Sequence, residues 1–153
     1  MNISIDLLKK LREETQAGVS DCRQALEDAG GDYAKAKKLI SERGLEKAAK
    51  KEGKETSQGV VEAYVHGGRV GVLVELRCET DFVARTDDFK KLAHEISLQV
   101  ASMSPKDTKE LLGSPYIRDS GTTIEQLIKL TIAKVGENIT VAKFVRMELG
   151  KDK

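Results

Sequence analysis

Cysteine is scarce in this chain of 153 residues: Cys22 and Cys78 lie far apart, with no CxxC spacing between them. That excludes a disulfide framework and reads as two free thiols in a reducing cytosolic compartment. Charge of one sign is lacking too. Lys and Arg total 26 against 25 Asp and Glu, a formal charge of +1, so no global field points toward nucleic acid or an acidic membrane surface. Apolar runs are broken every few residues by Glu, Lys or Gly, which excludes a membrane-spanning helix. The opening "MNISIDLLKK" has neither the apolar core of a secretion signal nor an Arg/Ser-rich transit pattern. A soluble, cytoplasmic protein is expected. Both prolines, Pro105 and Pro115, fall within Ser104 to Gly121, which marks that segment as a mobile loop with a short helical turn at Lys106–Leu111.

What is present is one moderate core's worth of apolar residues, 39% of the chain beside 33% charged, too little for a large multidomain enzyme. Residues 1–45 read as a three-helix unit. Ser4 caps a helix carrying Ile5, Leu8 and Leu11, stopped by "TQAG" at Gly18. Ser20 caps a second, with Cys22, Ala25, Leu26 and Ala29 on one face at helical spacing. Asp32 caps a third, with Tyr33, Ala36, Leu39 and Ile40 inward, ending at Gly44. Such a unit reads either as a docking head or as a cover for the larger domain. A connector, residues 46–58, completes the basic run Lys35, Lys37, Lys38, Arg43, Lys47, Lys50, Lys51 and Lys54. The run is either a guide toward an acidic partner or RNA, or a solvated face. It has no interleaved aromatic on which a base could stack.

Residues 59–153 read as an α+β domain. "GVVEAYVH" and "RVGVLVELRC" alternate about Gly67-Gly68 and predict a hairpin with Val70, Val72, Val74, Leu76 and Cys78 on one face. "NITVAKFVRMEL" predicts a third strand. Between them, Thr86 or Asp87 caps a helix with Phe89, Leu92, Ala93, Ile96, Val100 and Met103 in one stripe. A capping box starting at Thr122 opens another, with Ile124, Leu127, Ile128, Thr131 and Val135. The expected fold is a small antiparallel three-stranded sheet with helices on one side. Its other face, carrying Leu73 and Phe144, is then free to form a dimer.

Catalytic chemistry is hard to assemble from these residues. Cys78 with His66 or His94 imitates a thiol–imidazole pair, yet Cys78 follows the inward face of its strand. His66, His94, Asp87 and Asp88 do not form a metal-ligand set, and "HGGRVG" lies in a hairpin, without the strand-to-helix context of a phosphate loop. Neither enzyme, metal nor cofactor is expected. The remaining candidate is "ETDFVAR", Glu79 to Arg85, at a strand-to-helix corner. By composition alone Phe82, one of three phenylalanines, would pack inward as the corner's anchor.

Four blocks alter that expectation. "LREETQAGVSDCRQALEDAGGDYAKAKKLISERG" (Leu11 to Gly44), "KAAKKEG" (Lys47 to Gly53), "GVLVELRCETDFVAR" (Gly71 to Arg85) and "IAKVGENITV" (Ile132 to Val141) closely resemble the elongation factor Ts family. These factors exchange guanine nucleotide on elongation factor Tu. The resemblance implies a ubiquitin-associated-like helical head, residues 1–45, before the α+β core. It implies that Thr80, Asp81, Phe82 and Val83 project into the GTPase near its magnesium, and that Arg12, Val19 and Ser20 dock the head. Where some members carry Met-Met, this chain has Val19-Ser20, a smaller apolar anchor. It also implies the short form, associating as a homodimer through its sheets. The dimer-linking cysteine of some short members is absent, so the pairing is expected to be non-covalent. No direct contact with nucleic acid or membrane is implied. Two rivals are a dimeric adaptor, whose head binds a peptide or protein tag, and an RNA-binding protein using Lys35 to Lys54. Neither accounts for the Thr80–Val83 corner.

Overall fold

The computed structural model describes residues 2–152. Its elements run α1 (Ile5–Thr15), α2 (Val19–Asp28), α3 (Tyr33–Ala49), β1 (Gln58–His66), β2 (Val70–Cys78), α4 (Asp81–Ala84), α5 (Asp87–Met103), α6 (Thr108–Gly113), β3 (Pro115–Tyr116), β4 (Asp119–Thr123), α7 (Ile124–Val135) and β5 (Ile139–Glu148). The α+β expectation holds.

The three N-terminal helices enclose Leu11, Cys22, Ala25, Leu26 and Ala36, all fully buried. Ser4 and Asp32 cap α1 and α3 as the sequence predicts, accepting from the N–H groups of Leu7 and Lys35. Three boundaries differ. α1 ends in a left-handed Gln16 (φ 60°) whose N–H reaches the carbonyl of Arg12, before Gly18 is reached. α2 starts from Gly18 with no side-chain cap, which places Ser20 inside the first turn instead of at the cap. α3 runs through Gly44 to Ala49. The reason lies in α7: a β-carbon at Gly44 would stand 3.3 Å from Leu130 Cδ2 and 3.7 Å from Ala133 Cβ. Gly44 is therefore the point where the two helices approach each other, and tertiary packing carries α3 past a residue of low helix propensity.

The sheet has the order β1-β2-β5, antiparallel throughout. Gly67 and Gly68, both at positive φ (57° and 69°), supply the primed turn that matches strand twist. Val72, Val74, Leu76 and Cys78 face α5 and α7, where Phe89, Leu92, Ile96, Val100, Ile124, Ile128 and Ile132 complete one core. The opposite face is open. Val61, Val65, Leu73, Val145 and Met147 are exposed there, but Phe144 is not: it pairs with Val74 and packs on the core. A bulge explains the exchange. Glu75 pairs with Lys143 while Leu76 pairs with Val141, so Ala142 is the extra residue and every side chain beyond it changes face.

The Pro-bearing segment is also more built than a loop. Buried Gln99 of α5 donates to Ser114 Oγ (3.1 Å) and to the carbonyl of Pro115 (2.8 Å), and accepts from the N–H of Ile117 (2.9 Å). This pins the β3–β4 hairpin against α5. The capping box of α7 lies one residue later than its sequence signal, between Thr123 and Gln126, and Thr86 caps α5.

Candidate functional site

The corner between β2 and α5 is held from three directions. The side chain of Thr80 accepts from the N–H of Val83 at 3.3 Å, capping the single turn α4. Thr86 Oγ1 donates to the carbonyl of Val83 at 2.7 Å and accepts from the N–H of Phe89, so α5 begins where α4 ends. Glu137, in the connection between α7 and β5, accepts both the N–H (3.0 Å) and the hydroxyl (2.7 Å) of Thr80. With its backbone fixed in this way, the short turn divides its side chains. Val83 and Ala84 are buried in the core, while Phe82 is 75% exposed.

Phe82 therefore points outward, as the family resemblance implies and contrary to the reading from composition. An aromatic ring left in water on a tethered backbone is uncommon, because burial of such a ring is worth about 2 kcal/mol. Asp81, beside it, pairs with Arg85 one turn on, at 2.9 Å. Both groups are largely exposed, so the pair stabilises the fold little and remains available to a partner. Of the four corner residues, Asp81 and Phe82 reach solvent freely. Thr80 is exposed but its polar atoms are engaged, and Val83 is an anchor.

Arg12, Val19 and Ser20 are all exposed around the α1–α2 turn, on a different element from the corner. Arg12 lines a shallow depression of about 290 Å³ with Lys9, Glu13, Gln16 and Ala17. Half of the basic run is answered within the chain: Lys37 pairs with Glu14 (3.2 Å), Lys38 with Glu42 (4.0 Å), Lys47 with Asp21 (3.1 Å), and Arg43 with Asp28. A polyanion would have to compete with those acids for the same cations.

The thiol reading has no geometric support. Cys78 is fully buried and its sulfur lies 3.1 Å from the carbonyl of Thr80. Burial, then the nearby Glu137 carboxylate, pushes its pKa up to about 11, away from a reactive thiolate. The two histidines are engaged elsewhere, around Tyr64: His66 Nδ1 lies 2.8 Å from the Tyr64 hydroxyl, and His94 packs edge-on against the same ring. Among the described residues no three His, Cys, Asp or Glu side chains gather as a metal site, and no helix is long and apolar enough to cross a membrane.

Comparison with known proteins places the corner within a family. The family model described as elongation factor TS matches residues 79–153. Elongation factor Ts of Coprothermobacter proteolyticus is 44% identical over 197 aligned positions, covering 99% of this chain and 100% of that protein. Those of Fervidobacterium nodosum and Thermotoga maritima are 40% and 41% identical, each across 99% of this chain and at least 98% of their own length. The chain belongs to the elongation factor Ts family. The aligned positions outnumber its 153 residues, so these elongation factor Ts relatives carry internal sequence for which this chain has no counterpart.

Sequence reasoning found the exposed residues of the site and missed their supports, Glu137, Glu79 and Asn138. Glu79 Oε2 accepts from the N–H of Asn138 at 2.6 Å, and the Asn138 amide donates to the carbonyl of Lys54 at 2.8 Å. A signal existed. Once β2 and β5 pair with Cys78 opposite Ile139, the two residues after β2 and the two before β5 meet beyond the ladder.

Proposed function

We propose that this protein is a translation elongation factor that binds elongation factor Tu carrying GDP and promotes GDP release, so that GTP rebinds. The observation that carries this reading is the exposed Phe82 beside Asp81 on a tightly hydrogen-bonded corner, in a chain of the elongation factor Ts family. GDP and magnesium hold a GTPase through phosphate contacts, so an exchange factor must offer contacts that form only when some of those are lost. Phe82 wedges into an apolar crevice of the GTPase while Asp81 disturbs the magnesium shell or its waters. Thr80 and Val83 hold the two in place. By linkage, nucleotide weakens the exchange factor to the same degree, and incoming GTP expels it. The protein catalyses no covalent step and needs no cofactor.

In this reading residues 1–45 form a ubiquitin-associated-like docking head contacting the GTPase through Arg12, Val19 and Ser20. Residues 46–58 connect it to the core, 59–153. The open sheet face, with exposed Val61, Val65, Leu73, Val145 and Met147, pairs with a second copy as a non-covalent homodimer in the cytoplasm. Neither nucleic acid nor membrane takes part.

The decisive experiment measures release of fluorescent GDP from elongation factor Tu by substoichiometric protein. Losing a ring that is buried only against the GTPase costs about 2 kcal/mol of differential binding, so Phe82→Ala should slow release on the order of thirtyfold with the fold intact. Release as fast as wild type would sink the wedge assignment, and an adaptor would accelerate nothing in either form.

A further inference from the structure

Glu137 directly follows Gly136, the left-handed C-cap (φ 78°) that ends α7, and stands two residues before β5. Both of its carboxylate oxygens are used on one residue, Thr80, the N-cap of α4. Oε1 accepts the N–H of Thr80 and Oε2 accepts its hydroxyl. The hydroxyl has a single proton, given to Glu137, so its lone pair is left to receive the N–H of Val83 and cap α4. The acid thus chooses the rotamer that caps the turn. A reciprocal bond, from the N–H of Asn138 to Glu79, closes the same junction from the opposite strand.

α4 has only four residues, too few to persist by its own hydrogen bonds. Buried Val83 and Ala84 hold its inner side, and on the outer side the tie to the rest of the molecule is Thr80. Through α7, Glu137 also reaches α3, since α7 packs on α3 at Gly44. We propose that Glu137 is a positioning residue for nucleotide exchange: acting through Thr80, it holds Asp81 and Phe82 in their outward aim and fixes that aim relative to the N-terminal helices. The assignment rests on the exchange reading given above. A wedge that must be ordered during the reaction forfeits binding free energy that a preorganised one applies to displacing nucleotide.

The test uses the full chain with elongation factor Tu and fluorescent GDP, and reads the maximal release rate separately from the half-saturating concentration. Glu137→Ala should lower the maximal rate at least about tenfold, the scale of one lost charge-assisted hydrogen bond, and change the half-saturating concentration far less. Glu137→Gln, whose amide oxygen still accepts from the Thr80 N–H while its NH₂ faces the hydroxyl, should restore most of that loss. Thr80→Val removes the same clamp from its other end and stands in if Glu137→Ala does not fold. The double variant should be no slower than the slower single one. If wild type releases GDP and Phe82→Ala slows it, but Glu137→Ala and Thr80→Val leave the maximal rate unchanged, the positioning role falls and the exchange reading stands. Equal loss in Glu137→Ala and Glu137→Gln, both melting as wild type, also overturns it. Wild type that releases no GDP overturns the exchange reading and this assignment together.

Discussion

At the scale of single residues, the corner shows how neighbours in sequence acquire opposite fates. Phe82 and Val83 are both apolar, yet one stands in water and the other in the core, because a turn of helix sends adjacent side chains about 100° apart. Cys78, two residues before the corner, illustrates a different constraint. Its ordinary pKa of 9.0 is raised to about 11, chiefly by burial. In the unfolded chain the thiol ionises near 9, so between about pH 9 and 11 the folded state binds the extra proton and stability must fall as pH rises. Tyr116, raised to about 12 by burial and by Glu95, extends the same trend upward. Cys78→Ser should flatten the first part of that alkaline loss in urea titrations across pH 8 to 11. A slope unchanged by the substitution would assign the loss to other groups. The buried thiol was legible from alternation along β2. Its proximity to Glu137 was not, since the two are far apart in the chain.

Among the secondary-structure elements, hydrophobic period predicted most of the helices and strands correctly, and two of the failures share a cause. Gly44 and the bulge at Ala142 are places where a partner element, and not local preference, decides the outcome. Gly59 is the reverse case, in which a local requirement is invisible in sequence. It sits at the start of β1 with φ 150°, and a β-carbon there would lie 2.0 Å from the carbonyl oxygen of Leu76 on β2. Relief demands a shift of backbone, because nothing flexible is in the way. Gly59→Ala should therefore destabilise the protein by about 3 kcal/mol, read as a lowered urea midpoint with unchanged slope. A loss below about 1 kcal/mol would mean that the strand edge yields freely.

For the whole molecule, the one-sided layer of helices leaves an apolar sheet face whose exposed centre is Leu73 beside Val145. Monomers seldom leave such a surface open, which motivates the homodimer. Val145→Lys should shift sedimentation from dimer to monomer at micromolar concentration while leaving the melting of each chain largely unaltered, since the position faces solvent in the single chain. A wild-type protein that sediments only as monomer would remove the dimer altogether. Sequence patterning anticipated the open face and Leu73 on it, but assigned Phe144 there in place of Val145, because strand parity was followed through a bulge that only pairing with β2 reveals.

The sequence by itself determined the order of the main helices and strands, the α+β class, the buried stripes of β2, α2 and most of α5, and the corner motif. All of these follow from propensity and period over neighbouring residues. Tertiary structure alone decided that α3 continues past Gly44, which face of β5 is apolar, and that Glu137 and Glu79 brace the corner. Each of those depends on contact between residues distant in the chain, and local pattern carries no record of which distant residues will meet.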